Sequence, residues 1–279
     1  MTLLNRRKTL LGFAAWASLP ALPLRASTRA VREVAYGPHA LQRYDAYMPE
    51  GASAAPLVVF LHGGGWAFGD KANDTVWKAK AAHWNGRGLG FISVNTRLLP
   101  EADPMQQAAD LSRALAHVQQ NAPRWGGDPN RLALMGHSAG AHLVALLGAD
   151  PGLARRWGAQ NWRATVALDS AVYDTERYMA RRPSRIHKRA FGTSRAFWED
   201  ASPYARLGPG ATPFLLVASS KRRAALSAAR NFARAAKARQ VEAEVLELDH
   251  SHAAINSTLG MKGHYTEAVD AFLSRHGVG

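Results

Sequence analysis

The sequence predicts an α/β fold, with a mostly parallel central sheet and helices on both faces. Three observations predict it. Short apolar runs rich in β-branched residues alternate with longer stretches of helical spacing, the pattern of strands joined by helical crossovers. Some runs, such as Leu57-Val58-Val59-Phe60-Leu61, are apolar at every position rather than every second one, as strands covered on both faces are. Gly136-His137-Ser138-Ala139-Gly140 stands between one such run, Arg131 to Met135, and a helix-like run, Ala141 to Leu147. A strand, a sharp turn and a helix in that order lift a serine hydroxyl clear of the sheet, which makes Ser138 a candidate nucleophile. The flanking glycines are expected where neighbouring backbone passes close to the turn.

The chain begins with a segment of a different kind. Arg6-Arg7-Lys8 precede the uncharged stretch Thr9 to Leu24, and Arg25-Ala26-Ser27 follow. A basic head, an apolar stretch and a small-residue site make residues 1–26 an expected secretory signal. The paired arginines resemble a twin-arginine export signal. The stretch is short for a membrane span, and Pro20 and Pro23 interrupt it. The expected mature protein, periplasmic or secreted, is then residues 27–279. It has no internal repeat and no linker long enough to divide it, so it is read as one domain.

Strands are expected at Val31–Ala35 and Tyr44–Met48, the second closed by Pro49-Glu50-Gly51. After the strand 57–61 comes His62-Gly63-Gly64-Gly65-Trp66, a loop whose backbone N–H groups can approach a ligand. Residues 72–85 read as a helix and Phe91–Asn95 as a strand. Ala109, Leu111, Leu115 and Val118 have the spacing of a helix over Gln106–Gln120, and Gly126-Gly127-Asp128-Pro129 reads as a turn. Beyond the serine motif, Ala164–Leu168 is a strand ending at Asp169. Residues 172–210 are an Arg-, Pro- and Gly-bearing excursion with short helices. Pro213–Ala218 is a strand, 221–239 a helix, Val241–Leu248 a strand and Tyr265–Ser274 a terminal helix.

Composition excludes some chemistry. With no cysteine, disulfides, thiol catalysis and cysteine-ligated metals are ruled out. The excess of 35 Lys and Arg over 21 Asp and Glu gives a net charge of +14, which favours contact with anionic envelope polymers or lipid headgroups. No nucleic-acid motif accompanies the charge, so no nucleic-acid partner is predicted. Lys221, Arg222, Arg223, Arg230, Arg234, Lys237 and Arg239 lie opposite an apolar stripe of Leu226, Ala229, Phe232, Ala233 and Ala236, and read as the solvated face of a surface helix. Strand alternation would put His250 and His252 on one face beside Asp249, but no third motif supports a metal, and neither metal nor cofactor is predicted.

These residues resemble the α/β-hydrolase family, in the esterase/lipase branch with a His-Gly-Gly-Gly loop, which includes hormone-sensitive-lipase-like and kynurenine-formamidase-like enzymes. The resemblance is carried by Tyr44 to Pro49, by Asn95 to Glu101 and, most closely, by Asn121 to His142, and it covers nearly all of the mature chain. It implies an α/β-hydrolase fold with a lid in the 172–210 excursion. It implies hydrolysis of a small carboxylic ester through an acyl-enzyme on Ser138, with oxyanion donors at the N–H groups of Gly64, Gly65 and Ala139. Ser251-His252-Ala253-Ala254-Ile255-Asn256 is similar to the family's histidine segment, which selects His252 over His250 as the base. Trp66 and Phe68 either line the acyl pocket or pack. Arg177, Arg181, Arg182, Arg185, Lys188 and Arg189, in the excursion, would favour acidic substrates.

The acid departs from the family. It is expected just after the strand Pro213–Ala218, where Ser219-Ser220-Lys221-Arg222-Arg223 stand, and no Asp or Glu occurs from Ser219 to Gln240. Three alternatives follow: Asp169 from the preceding strand, Asp249, or no acid at all. The last motivates a second reading, a hydrolase fold that binds a ligand or partner with little turnover. A third reading is an amide hydrolase of the arylformamidase kind.

Overall fold

Strand and helix alternate through residues 28–181 and 183–279, which this computed structural model describes; the expected export signal lies outside them. In chain order the elements are β1 (Thr28–Ala35), β2 (Arg43–Pro49), β3 (Ala55–Leu61), α1 (Asp74–Asn85), β4 (Gly90–Val94), α2 (Pro104–Asn121), a 3₁₀ turn (Ala122–Trp125), β5 (Gly127–His137), α3 (Ala139–Ala149), α4 (Gly152–Arg155) and β6 (Ala164–Leu168). Four short helices follow, α5 (Thr175–Met179), α6 (Arg185–Phe191), α7 (Arg195–Asp200) and α8 (Pro203–Arg206), within the predicted excursion. The chain closes with β7 (Phe214–Ser219), α9 (Arg223–Ala238), β8 (Ala243–Leu248), α10 (His252–Ser257) and α11 (His264–Arg275).

The strands form one sheet in the order β1-β2-β4-β3-β5-β6-β7-β8. Only β2 runs against the others. The sheet separates two apolar layers. Trp84 of α1 and Val269, Phe272 and Leu273 of α11 pack on one face with Val58, Phe60 and Phe91. Leu111 and Leu115 of α2, Leu143 and Leu146 of α3, and Phe232 of α9 pack on the other with Val59, Leu134 and Leu216. β3, β4, β6 and β7 are buried along their whole length, which is why their sequences are apolar without alternation.

Local chemistry sets the helix starts. α2 opens with a capping box, in which the Asp103 side chain accepts from the Gln106 N–H while the Gln106 side chain accepts from the Asp103 N–H, and Pro104 occupies the first helical position. The Asn95 to Glu101 segment is tied to α2 through Asp110, which has no solvent exposure. Arg97 donates to both Asp110 carboxylate oxygens at 2.8 Å, and Gln42 donates at 2.7 Å. A carboxylate so buried is tolerated because it is paired and hydrogen-bonded.

The structure corrects the predicted turn at 126–129. Gly126 alone turns, with φ of 82°, and a Cβ there would stand 2.0 Å from the Ala52 carbonyl oxygen. Gly127, Asp128 and Pro129 already belong to β5, whose register shifts before Leu132. α4 and α10 were not predicted. Segments of four and six residues are too short to show helical periodicity, and α10 is set by its cap, the Ser251 hydroxyl accepting from the Ala254 N–H at 3.1 Å. The stripe of α9 is buried as predicted, except that Ala233 is half-buried.

Candidate active site

The parallel strands bring the C-terminal ends of β3, β5, β6, β7 and β8 side by side, where ligands bind in open α/β sheets. Backbone hydrogen bonds stitch these ends together beyond the strands. The Ser138 N–H donates to the Leu168 carbonyl at 2.8 Å, the Asp169 N–H to Val217 at 2.8 Å, and the Ser220 N–H to Leu248 at 2.9 Å.

Ser138 sits between β5 and α3 with φ of 56° and ψ of −112°. A non-glycine residue with that backbone stores about 1–3 kcal/mol of strain. The surrounding glycines let the turn close. A Cβ on Gly136 would meet the Gly140 carbonyl carbon at 2.6 Å, and one on Gly140 would meet the Leu61 carbonyl oxygen at 2.4 Å. The second contact seats the start of α3 against the end of β3, and so brings the glycine loop beside the serine. A Cβ on Gly63 would lie 3.0 Å from the Ser138 Cβ. Gly64 has φ of 127°, and a Cβ there would meet the Phe68 carbonyl oxygen at 2.0 Å. Among the described residues the N–H groups of Gly64, Gly65 and Ala139 donate no hydrogen bond.

His252, at the start of α10, reaches the serine. Its Nε2 is 2.9 Å from Ser138 Oγ, and its Nδ1 is 2.6 Å from Asp169 Oδ2. Of the three alternatives for an acid, Asp169 is the carboxylate against the ring. Asp249 is not: it is exposed and meets Ser220 at 3.4 Å and Lys221 at 3.3 Å. The missing acid after β7 is therefore no sign of a histidine without a carboxylate. The two-histidine metal arrangement does not form either. β8 ends at Leu248 and the His250 ring packs against Tyr265, with centroids 5.9 Å apart.

Asp169 follows β6 with φ of 58° and has essentially no solvent exposure. Burial alone would raise its pKa. Hydrogen bonds from His252 and Arg222, and from the Ser219 N–H at 3.1 Å, outweigh burial and hold the carboxyl down at about 2. Arg222 was expected on a solvated helix face. Its Nη1 instead donates to Asp169 Oδ2 at 2.6 Å and to the Asp169 carbonyl at 2.9 Å, and lies 2.8 Å from His252 Nδ1. Sequence reasoning missed it because seven cations along one segment looked alike.

His137, the variable residue of the motif, was missed too. Its Nε2–H donates to the His252 carbonyl at 2.9 Å, and its ring lies 4.5 Å from the His252 ring between centroids. Burial, aided by the nearby His252, pushes its pKa down to about 3, so it is a neutral donor in ordinary buffers. Lys80 of α1 fixes α10 from beneath, donating to the Asn256 carbonyl at 2.6 Å, and burial lowers its pKa to about 7.

The excursion covers the glycine loop. A Cβ on Gly65 would meet Ile186 of α6 at 2.8 Å. Trp66 is buried against His142, His187 and Phe191, whereas Phe68 is exposed, and both border a small hollow beside Gly63 and Ala139. A cavity of about 540 Å³ lies between the start of the excursion and α9, with Arg177, Arg181, Arg234, Tyr178 and Tyr204 among its lining residues. Arg182 is outside the described residues.

The BD-FAE family pattern matches residues 44–161. A probable isoprenylcysteine alpha-carbonyl methylesterase of Oryza sativa subsp. japonica is 33% identical over 120 residues, 43% of this chain and 28% of that enzyme. Esterase LipC of Mycobacterium tuberculosis is 28% identical over 214 residues, covering 68% of this chain and 50% of LipC. Among solved structures, a truncated carbohydrate esterase from gut microbiota superposes with a TM-score of 0.77 at 17% identity, over 92% of this chain and 99% of that one. The chain is similar in sequence to esterases of the α/β-hydrolase esterase/lipase branch and shares their fold. It spans about a quarter to a half of the length of the curated relatives it matches. The match to the plant methylesterase covers less than half of the chain, while the structural likeness covers 92% of it.

In this fold the ionised Asp169 ties stability to pH in a definite direction. Its folded pKa of about 2 lies below the unfolded carboxylate value of about 3.9. The contribution is therefore complete above pH 4 and is lost as pH falls through 2. Urea denaturation of wild type and Asp169→Asn between pH 2 and 6 is expected to show a difference that shrinks toward the acid end. A difference independent of pH would contradict an ionised, hydrogen-bonded Asp169.

Proposed function

We propose that this protein hydrolyses small carboxylic esters through an acyl-enzyme on Ser138. The observation that carries the proposal is the chain of contacts from Ser138 Oγ through the His252 ring to the Asp169 carboxylate, 2.9 and 2.6 Å apart. In this reading His252 Nε2 takes the proton of Ser138 as Oγ attacks the ester carbonyl, and Asp169 holds the ring with its proton on Nδ1 and stabilises the imidazolium. The oxyanion of the tetrahedral intermediate accepts hydrogen bonds from the unpaired N–H groups of Gly64, Gly65 and Ala139. His252 then passes its proton to the leaving alkoxide, and the acyl-Ser138 ester is hydrolysed by a water that the same ring deprotonates.

Donors already held by tight turns need no reorganisation as charge develops, and each such donor is worth about 3 kcal/mol in comparable sites. The relatives named as esterases support the ester class. No observation favours the binding-only reading or the arylformamidase-type reading over it. We also propose that residues 1–26 direct export to the periplasm or medium, on the basis of the basic head, uncharged stretch and small-residue site.

Purified protein is expected to hydrolyse p-nitrophenyl acetate or butyrate, and Ser138→Ala to lower kcat by ~10⁴-fold or more while the fold, read by circular dichroism, is kept. Activity retained in Ser138→Ala would remove the assignment. For export, N-terminal sequencing of protein recovered outside the cytoplasm of a bacterial host should begin near Ser27. A chain found only inside, with its N-terminus intact, would refute that part.

A further inference from the structure

We propose that Arg222 is a positioning residue for the acid–base pair: it clamps Asp169 in its left-handed conformation and fixes the His252 tautomer that leaves Nε2 free for Ser138. The inference rests on the serine hydrolase reading above and extends it to a residue outside the nucleophile, base and acid.

One guanidinium Nη1 carries two hydrogens. Asp169 Oδ2 and the Asp169 carbonyl oxygen stand 2.6 and 2.9 Å from it, and both are pure acceptors. They use both hydrogens. Nothing on Nη1 remains for His252 Nδ1, although the two nitrogens are 2.8 Å apart. The ring must then carry its own hydrogen on Nδ1 and donate it to Asp169 Oδ2 at 2.6 Å. That is the tautomer that leaves Nε2 free to accept from Ser138. With both Nη1 hydrogens on Asp169, Arg222 excludes the competing arrangement, in which the Nη1–H would feed Nδ1 and turn Nε2 into a donor.

The clamp also has a mechanical side. Asp169 is a non-glycine residue at φ of 58°, a conformation that persists only where the surroundings impose it. Arg222 grips the backbone and side chain of this residue through one nitrogen, while the Ser219 N–H holds the other carboxylate oxygen. The carboxylate that comes from β6 is thus steadied from the loop after β7, where the family's acid is expected and this chain has arginine.

The test compares Arg222→Met and Arg222→Lys with wild type, and with Lys221→Ala as a neighbour outside the site. For p-nitrophenyl butyrate, Arg222→Met is expected to lower kcat ~10–100-fold, the scale of a misplaced catalytic group, with little change in KM. Arg222→Lys, whose single ammonium can donate to the same two Asp169 oxygens, should recover part of the lost kcat. Lys221→Ala should match wild type. Nitrogen-15 NMR of the neutral His252 ring reads the tautomer without turnover: the wild-type ring should carry its hydrogen on Nδ1, and Arg222→Met should lose part of that preference. An inactive wild type thus refutes the esterase reading, while the Arg222 proposal is still judged on the ring. Wild-type kcat and an unchanged ring spectrum in Arg222→Met would overturn the proposal, as would an Arg222→Lys variant no better than Arg222→Met. Should Arg222→Met fail to fold, the kcat and ring spectrum of Arg222→Lys decide alone.

Discussion

The buried carboxylate of Asp169 is the interaction on which the rest of the site depends. An ionised group without solvent is tolerated only if donors replace its water. Asp169 has a ring N–H, a guanidinium and a backbone N–H, supplied by the segments after β8, after β7 and at the end of β7. These bonds do more than satisfy the charge. They tie the ends of β7 and β8 to that of β6, and so set where His252 stands relative to Ser138. The strain at Ser138 and at Asp169 is held by the same means, with neighbouring strand ends accepting from both backbone N–H groups.

Much of the scaffold was legible because its physics is local. Fully apolar strands announce burial on both faces, and α2 and α9 show their buried stripes directly. The glycine loop and the turn around Ser138 were legible for a related reason: backbone that approaches backbone needs glycine, and Gly63, Gly64, Gly136 and Gly140 each stand where a Cβ would collide. The elements that escaped were short. α10 is a single capped turn and a half, and the real start of β5 was hidden in residues that look like a turn.

The site was less legible wherever a role depends on what lies across the sheet. Asp169 could be ranked among alternatives but not selected, because nothing near it in the chain says that a histidine 83 residues later will meet it. Arg222 was invisible among Lys221, Arg223 and the other cations of its segment. Its role follows from the bend at the end of β7, which turns this one side chain inward while Lys221 stays in solvent on Asp249. His137 carried no signal either, since the motif leaves that position free. The likeness to a carbohydrate esterase at 17% identity has the same meaning: the fold constrains layers and strand ends strongly, and individual side chains weakly.

A covalent intermediate at Ser138 is tested most directly by intact-protein mass spectrometry. Acid quenching during turnover of p-nitrophenyl butyrate, followed by peptide mapping, should show a butyryl group on the peptide containing Ser138, and none in Ser138→Ala. Turnover with no acyl group on Ser138 at any quench time, under conditions that preserve an acyl-serine ester, would contradict the account.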